Sequence, residues 1–345
     1  MSSKKVSIVV PCYKVEKYLP RCLNSLVNQT LQDIEVICIN DGSPDRCIDI
    51  LNDYKERYPE TIVVIDKQNE GVWRGRFDAI AIARGEYIGF VDSDDYVEPD
   101  FAKKLYDTAK ENNADISICG FHRIDVDTGK ILNTEMVDSR PSFNVEEEPQ
   151  RLLELNGAPW NKFFRASIIK NLHDFEEPPK IFDDMMMHLL TYPMVKRVTF
   201  TPHALVNYII RGDSIMTTID KDKIDSTYKA MLEVKQVYQK HTTQQLLEFL
   251  DAAAFLHLGI SLMFRISYDK SASLKQELKN NRQFLDDNFP TWNSKKIISI
   301  TNAKKDSGVL RKAYLARMIY RSAFMRPALS IYRFMIHRLN WDIKW

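Results

Sequence analysis

Residues 86–95 read Glu-Tyr-Ile-Gly-Phe-Val-Asp-Ser-Asp-Asp, an apolar run that stops on carboxylates. Tyr87 to Val91 suit a strand buried on both faces. Asp92, Ser93, Asp94 and Asp95 then emerge at its carboxyl end, where open α/β sheets bind ligands. Carboxylates this close repel one another unless something positive sits between them, and a hard divalent cation shared with nucleotide phosphates is the usual answer. The competing reading of Asp-x-Asp alone is a solvated turn, because Asp and Ser form turns readily. Two further strand ends carry polar residues, Val10-Pro11-Cys12-Tyr13 and Asn40-Asp41-Gly42-Ser43-Pro44. Tyr13 could stack on a base or cap the core, and Asp41 could accept bonds from a ribose or a base. Farther on, Asp183-Asp184 heads a helical run, where adjacent acids favour the helix dipole.

These residues need a scaffold that brings strand ends together. The first 125 residues alternate Val- and Ile-rich runs (6–10, 35–39, 62–65, 87–91, 115–119) with amphipathic stretches (about 17–29, 45–58, 72–84, 100–112). Such alternation implies a mostly parallel sheet with helices on its faces. No Gly-x-Gly-x-x-Gly follows the first strand and no Gly-x-x-x-x-Gly-Lys-Ser/Thr occurs, which weakens dinucleotide and P-loop readings. Residues 126–156 are polar and turn-rich, 157–215 mix short helices and strands, and the chain beyond about 220 reads as helical. The expected domains are 1–219 for nucleotide binding and catalysis, 220–308 for a helical domain, and 309–345 for a basic amphipathic tail.

With 345 residues, 44% of them hydrophobic, the chain can bury a sizeable core. Its five cysteines (Cys12, Cys22, Cys38, Cys47, Cys119) lack metal-ligand spacing and suit buried thiols in a reducing compartment. Lys4 and Lys5 are followed by only five apolar or small residues before Pro11, so no signal peptide is expected, nor is any stretch near the roughly 20 apolar residues of a spanning helix. The expected location is the cytoplasm. The net charge of +1 hides an asymmetry: residues 309–345 hold eight Lys/Arg and one acid. Within that tail Leu310, Tyr314, Ile319, Phe324, Ile331 and Phe334 lie among the cations, Pro327 is expected to kink or divide the helix, and Trp341 and Trp345 close it. A basic helix with aromatic residues suits the anionic inner leaflet of a membrane, with docking on the protein as the alternative. Nucleic acid is not expected as a partner, because no basic patch exists elsewhere. The long helical region invites a homodimer.

The motifs together resemble the family 2 glycosyltransferases of GT-A fold, of the bacterial polysaccharide-biosynthesis type. The resemblance rests on Ser7-Ile-Val-Val-Pro-Cys-Tyr13, Ile39-Asn-Asp-Gly-Ser43, Asn69-Glu-Gly71, Arg84-Gly-Glu-Tyr-Ile88 and Phe90-Val-Asp-Ser-Asp-Asp95. Trp160-Asn-Lys-Phe-Phe164, Phe182-Asp-Asp184 and Tyr208-Ile-Ile-Arg211 with Ser214 resemble its later landmarks. It implies an α/β GT-A fold, a Rossmann-like, mostly parallel sheet with flanking helices, followed by a helical C-terminal region. It further implies inverting transfer of a sugar from a nucleotide sugar to a hydroxyl of a glycan or lipid-linked glycan. By the same resemblance Pro11, Tyr13 and Asp41 hold the nucleoside, Arg76 contacts base or phosphates, and Ser93 faces the donor. Asp92 and Asp94 flank Mg²⁺ or Mn²⁺, Asp184 is the base and Asp183 its support. Trp160 and Lys162 are candidates for the acceptor side, and His188 and His203 for a third metal ligand. The chain departs from the pattern at Lys14, where the family has asparagine, and at Val72-Trp-Arg-Gly-Arg-Phe-Asp78, which is bulkier than usual. A nucleotidyltransferase would want a glycine-rich basic loop after the first strand, which Cys12-Tyr-Lys-Val-Glu16 is not. A non-catalytic nucleotide-sugar scaffold at the membrane is the other alternative.

Overall fold

The computed structural model describes residues 4–210, 219–294, 296–305 and 308–339. Its contacts divide the chain into two compact units, one of Met1–Val145, Gly157–Asp174 and Met194–Gly212, the other of Glu146–Asn156, Phe175–Pro193 and Asp213–Trp345. The boundary expected near 220 is therefore crossed twice, because Glu146–Asn156 and Phe175–Pro193 pack with the helices that follow. Arg211, Ser214, Trp341 and Trp345 lie outside the described residues.

The first unit is built on one sheet. Strands β1 (Lys4–Cys12), β2 (Ile34–Asp41), β3 (Ile62–Lys67) and β4 (Gly85–Phe90) run parallel in the order β3-β2-β1-β4. Between them lie α1 (Leu19–Val27), α2 (Cys47–Arg57) and α3 (Val72–Ile82). The sheet continues through β9 (Lys162–Arg165), antiparallel to β4, then β6 (Ile116–Asp125), β10 (Arg197–Ile210) and β5 (Tyr96–Val97), with β7 (Ile131–Glu135) paired to β6 and β8 (Phe143–Asn144) to β10. α4 (Phe101–Glu111) packs against β6 and β10. All eight residues of β2 are buried, which is why its sequence is apolar throughout rather than alternating. Each fully buried Val or Ile there stabilises the sheet by about 1.5–3 kcal/mol relative to exposure. α1 is held by Leu19, Cys22, Leu23 and Leu26, the i, i+3, i+4, i+7 face of a helix. Register places Pro11 beside Ile39, Cys12 beside Asn40 and Val9 beside Phe90, so the polar residues that follow β1, β2 and β4 leave the sheet at one edge.

At the opposite edge a buried carboxylate joins the neighbouring strands β2, β1 and β4. Glu35 on β2 is 1% exposed. Its Oε1 accepts the Ser7 hydroxyl and the Arg84 backbone N–H, each at 2.6 Å. Its Oε2 accepts Arg84 Nε at 2.8 Å and Nη2 at 2.6 Å. Ser7 Oγ in turn accepts the Gly85 N–H at 2.8 Å.

The second unit is helical: α6 (Asp183–Thr191), α7 (Lys221–His241), α8 (Gln244–Ala254), α9 (Met263–Ile266), α10 (Leu274–Asn288), α12 (Val309–Arg321) and α13 (Met325–Leu339), with the short α11 (Ile300–Lys305). Residues Phe255–Leu262 between α8 and α9 are π-helical, so Gln244–Ile266 forms one 23-residue helical passage. By length and a mean hydropathy of 1.6 it could cross a membrane, against the expectation that no stretch comes close. Burial of 72% of its most apolar window within the protein accounts for the apolar composition as a core. Nor does the tail stand apart as a domain. Leu310, Ala313, Arg317 and Tyr320 of α12 are buried, and Arg333 of α13 donates to the carbonyls of Ser267 and Ala272 at 3.3 and 3.0 Å. The break between α12 and α13 falls before Pro327, which sits in the first turn of α13 where a proline costs no hydrogen bond.

Removing the Glu35 carboxylate leaves buried donors of two strands without their acceptor. Glu35→Ala is expected to cost about 2–4 kcal/mol, a loss of several charge-assisted hydrogen bonds. The denaturant midpoint of the sheet unit, followed by tryptophan fluorescence, measures it. An unchanged midpoint would show that the network contributes nothing.

Candidate functional site

The carboxylates after β4 are sorted by burial. Burial alternates from Val91 onward, leaving Asp92 and Asp94 partly exposed and Ser93 and Asp95 buried. Asp95 closes a turn through its N–H to the Asp92 carbonyl at 3.0 Å, and its Oδ1 accepts the Ile209 backbone N–H at 2.8 Å. Its Oδ2 is buried and accepts no hydrogen bond. Asp95 thus ties the turn to β10 instead of joining a binding surface.

Cations flank the turn. Arg76 of α3 is 3% exposed, and its Nη2 lies 3.9 Å from Asp92 Oδ1, with the guanidinium 5.9 Å from the Phe90 ring centre. Arg21 of α1 donates to the Asp94 carbonyl at 3.1 Å and lies over the Tyr96 ring at 4.6 Å. No sequence signal marks Arg21, since an arginine on the outer face of a helix is ordinarily solvated.

The loops after β1, β2 and β3 are pinned to one another. The two oxygens of Asp41 accept the backbone N–H groups of Glu70 and Gly71, each at 2.9 Å. It therefore sets the start of α3, the helix that carries Arg76. Gly42 (φ +61°) allows this approach, because a Cβ there would lie 2.6 Å from the Asn69 nitrogen. Ser43 Oγ accepts the Lys14 N–H at 2.8 Å and donates to Asp45 Oδ1 at 2.6 Å. Asp45 also accepts the N–H groups of Glu16 and Cys47. Burial alone would raise the Asp45 carboxyl, yet these hydrogen bonds hold it at about 2. Lys14 adopts a left-handed conformation (φ 55°), which asparagine tolerates better and which costs a lysine about 1–2 kcal/mol. Its ammonium lies 5.1 Å from the centre of the Tyr13 ring, which is 44% exposed beside the half-buried Pro11.

The bulky segment 72–78 has a structural reason. The Trp73 indole N–H donates to Asp174 Oδ1 at 2.8 Å, and Arg74 meets Asp174 Oδ2 at 2.5 Å. Trp73 stacks on Phe77 with centroids 5.0 Å apart. Together they clamp the end of the segment that follows α5 (Ala166–Ile169). Asp174, a partner missed in the sequence, lies a hundred positions from Arg74, too far for any local pattern.

Packing corrects the acceptor-side expectations for Trp160 and Lys162 and gives His203 and His188 partners of their own. Trp160 is 6% exposed, stacked on Tyr208 at 5.3 Å and edge-on to Phe121 at 4.7 Å, so it has no face to offer an acceptor sugar. Lys162 is fully buried, donating to the Ala158 carbonyl at 2.6 Å and to Asn161 Oδ1 at 2.8 Å. His203 bonds Thr201 Oγ1 at 2.9 Å and lies 3.4 Å from the Lys104 ammonium, while His188 Nδ1 meets the Asp184 carbonyl at 2.8 Å.

Among the described residues no three His, Cys, Asp or Glu side chains gather into a metal-binding group. Asp92 and Asp94 offer hard oxygen donors without a full set. That fits Mg²⁺ or Mn²⁺, which commonly take one or two carboxylates and complete their shell with phosphate oxygens and water.

Asp183 and Asp184 belong to the second unit, in the first turn of α6, where unpaired backbone N–H groups favour negative charge. Phe182 before them is left-handed (φ 62°) and carries the Arg265 guanidinium 4.3 Å from its ring centre. Burial lowers the Arg265 pKa and the charge of Asp183 counteracts that.

Residues 7–172 match the family model described as glycosyl transferase family 2. EpsH of Bacillus subtilis (strain 168), whose name places it among the glycosyltransferases, is 30% identical over 288 residues, 81% of this chain and 83% of its own length. A poly(ribitol-phosphate) beta-glucosyltransferase of Bacillus spizizenii is 31% identical over 290 residues, 81% of this chain but 43% of its own length. The structure of S. aureus TarS 1-349 in complex with UDP-GlcNAc has a similar fold, with a TM-score of 0.68 at 19% identity over 99% of this chain and 93% of that one.

Burial, and then the charges of Asp92 and Asp94, push the Asp95 carboxyl well above the usual carboxylate range. The folded chain therefore keeps a proton that the unfolded chain releases. Its stabilising contribution is complete below about pH 4 and is lost as pH rises through the folded value. Asp95→Asn keeps an acceptor for Ile209 and cannot ionise. In metal-free protein its melting temperature is expected to equal that of the unmodified chain near pH 4 and to equal or exceed it near pH 8. A variant less stable near pH 8 but not near pH 4 would mean that the fold needs the charge.

Proposed function

The chain belongs to glycosyltransferase family 2, and on that premise we propose the following reaction. It moves a sugar from a UDP-linked donor to a hydroxyl of a glycan or lipid-linked glycan in cell-surface polysaccharide synthesis, with inversion at the anomeric carbon. The observation that carries the reading is the turn after β4, with Asp92 and Asp94 partly exposed and Arg76 buried beside Asp92. The UDP-GlcNAc complex of the TarS fragment supports the donor class, and the relative named for poly(ribitol phosphate) supports a surface polymer as acceptor.

Asp92 and Asp94 would hold Mg²⁺ or Mn²⁺, with Ser93 between them at the donor. When bound, that ion offsets the charge developing on the departing nucleoside diphosphate. Pro11 and Tyr13 flank the nucleoside. Asp41 joins them at the nucleoside and also holds the 69–71 loop at the start of α3, whose Arg76 contacts the base or the phosphates. The acceptor oxygen bonds to the anomeric carbon as the bond to the diphosphate oxygen breaks, and the acceptor's proton passes to Asp184. Asp183 supports that carboxylate.

The test pairs released UDP with transfer. Unmodified protein with Mn²⁺ is expected to hydrolyse one UDP-sugar slowly and to lose this with Asp94→Ala. Asp184→Asn is expected to lower transfer by about 10²–10⁴ while leaving UDP affinity unchanged, the range for one general base. Full activity in Asp184→Asn would place the base elsewhere.

The protein is further read as cytoplasmic and peripheral at the inner leaflet. Leu315, Met318 and Ile319 form an exposed face on α12, and Phe324 just before α13 and Ile331 and Phe334 on it are each more than half exposed. Exposed apolar stripes beside Arg311, Lys312 and Arg338 suit an anionic bilayer. Phe324→Ser/Ile331→Ser/Phe334→Ser is expected to reduce sedimentation with phosphatidylglycerol vesicles about tenfold or more, each lost apolar group removing buried area. Equal sedimentation of variant and parent would remove the membrane reading.

A further inference from the structure

A basic cleft in the second unit has no part in the sugar-transfer reading. α10 sets Lys275, Lys279 and Arg282 at i, i+4 and i+7, on one helix face. Ser322 of the turn between α12 and α13 and Arg326 of the first turn of α13 face them, and with Gln283 these residues line a cleft of about 480 Å³. Four lining residues are cationic. The acid among them, Asp286, already accepts the Trp292 indole N–H at 2.9 Å. Among the described residues Lys275, Lys279 and Arg326 make no ion pair. Like charges stacked on one face repel, a cost that a shared counter-anion removes.

Arg282 is fixed for such a role. Its Nη2 donates to the carbonyls of Tyr320 and Ser322, and the guanidinium lies 5.2 Å from the Tyr320 ring centre. Nε and Nη1 keep N–H donors for a ligand. A guanidinium fork, ammonium groups and an amide make a lining rich in donors, which matches tetrahedral phosphate oxygens. The volume falls within the range of small-molecule sites and exceeds what a lone phosphate needs.

We infer that this cleft binds a phosphate-ester anion carrying groups on both sides of the phosphate. The anion comes either from a soluble phosphodiester chain or from the headgroup of an anionic lipid. The lipid source has a neighbour in Phe324, 73% exposed two residues before Arg326.

The experiment uses the full chain and the variant Lys275→Gln/Lys279→Gln/Arg326→Gln. Arg282 is spared because its carbonyl bonds hold the turn. A control, Lys221→Gln/Lys229→Gln/Lys240→Gln on α7, removes the same charge elsewhere. Probes are a short soluble glycerol-phosphate oligomer joined by phosphodiesters and phosphatidylcholine vesicles with or without phosphatidylglycerol, with affinity measured across a salt series. The cleft variant is expected to lose about tenfold or more for one probe and to show a shallower salt slope, with the control near the parent. Loss confined to the soluble oligomer assigns a soluble phosphodiester, and loss confined to anionic vesicles assigns a lipid headgroup. Equal losses in cleft variant and control, or no binding of either probe by the parent, overturn the proposal. UDP release is expected to be the same in all three proteins, so failure of the donor reading and failure of this one are read separately.

Discussion

Acidic side chains held together at the end of a buried strand repel one another, and the architecture of the sheet unit follows from managing that repulsion. Asp95 is taken out of the group by burial, which favours its neutral form, and anchored to β10 through the Ile209 N–H. Arg76 stands buried beside Asp92, and Arg21 pins the Asp94 carbonyl. What remains are two carboxylates with partial access to solvent, which is the form that a shared cation and a diphosphate can use.

Arg76 can stand there only because α3 begins in the right place. Asp41 holds the Glu70 and Gly71 N–H groups, Gly42 lets the Asn69 backbone come close, and Trp73 and Arg74 grip Asp174. Each contact joins segments far apart in sequence, so the strand ends behave as one rim. Lys14 shows how far that rim is specified, since it keeps a left-handed backbone that lysine disfavours while its N–H meets Ser43.

In the helical unit one passage supplies the core and another is divided between inside and outside. Gln244–Ile266 is apolar enough to resemble a membrane span yet is mostly packed within the protein. α12 and α13 turn Leu310, Tyr320, Leu329 and Tyr332 inward and leave a second set of apolar residues exposed. Arg317, read from the sequence as one of the tail's cations, is buried and donates to the Ser294 carbonyl. Docking and an outward apolar stripe therefore coexist on the same helices.

The order of strands and helices, the parallel core of the sheet and the convergence of the Asp41 and Asp92 strand ends were legible in the sequence. Hydrophobic periodicity and strand-end composition are local signals, and the first half of the sheet is built from local strand–helix units. The observed strands extend those readings by a few residues at most along that half. Which carboxylate is buried, what Asp41 holds, and whether Trp160 and Lys162 face a ligand or the core were decided by tertiary structure. The same is true of the crossing of the 220 boundary by Glu146–Asn156 and Phe175–Pro193. The physical reason is that a side chain's type states what it can bond, whereas its burial and partner are set by segments a hundred residues away. Asp92 and Asp95 are the same amino acid three positions apart, and only the packing of β10 beneath one of them makes them different.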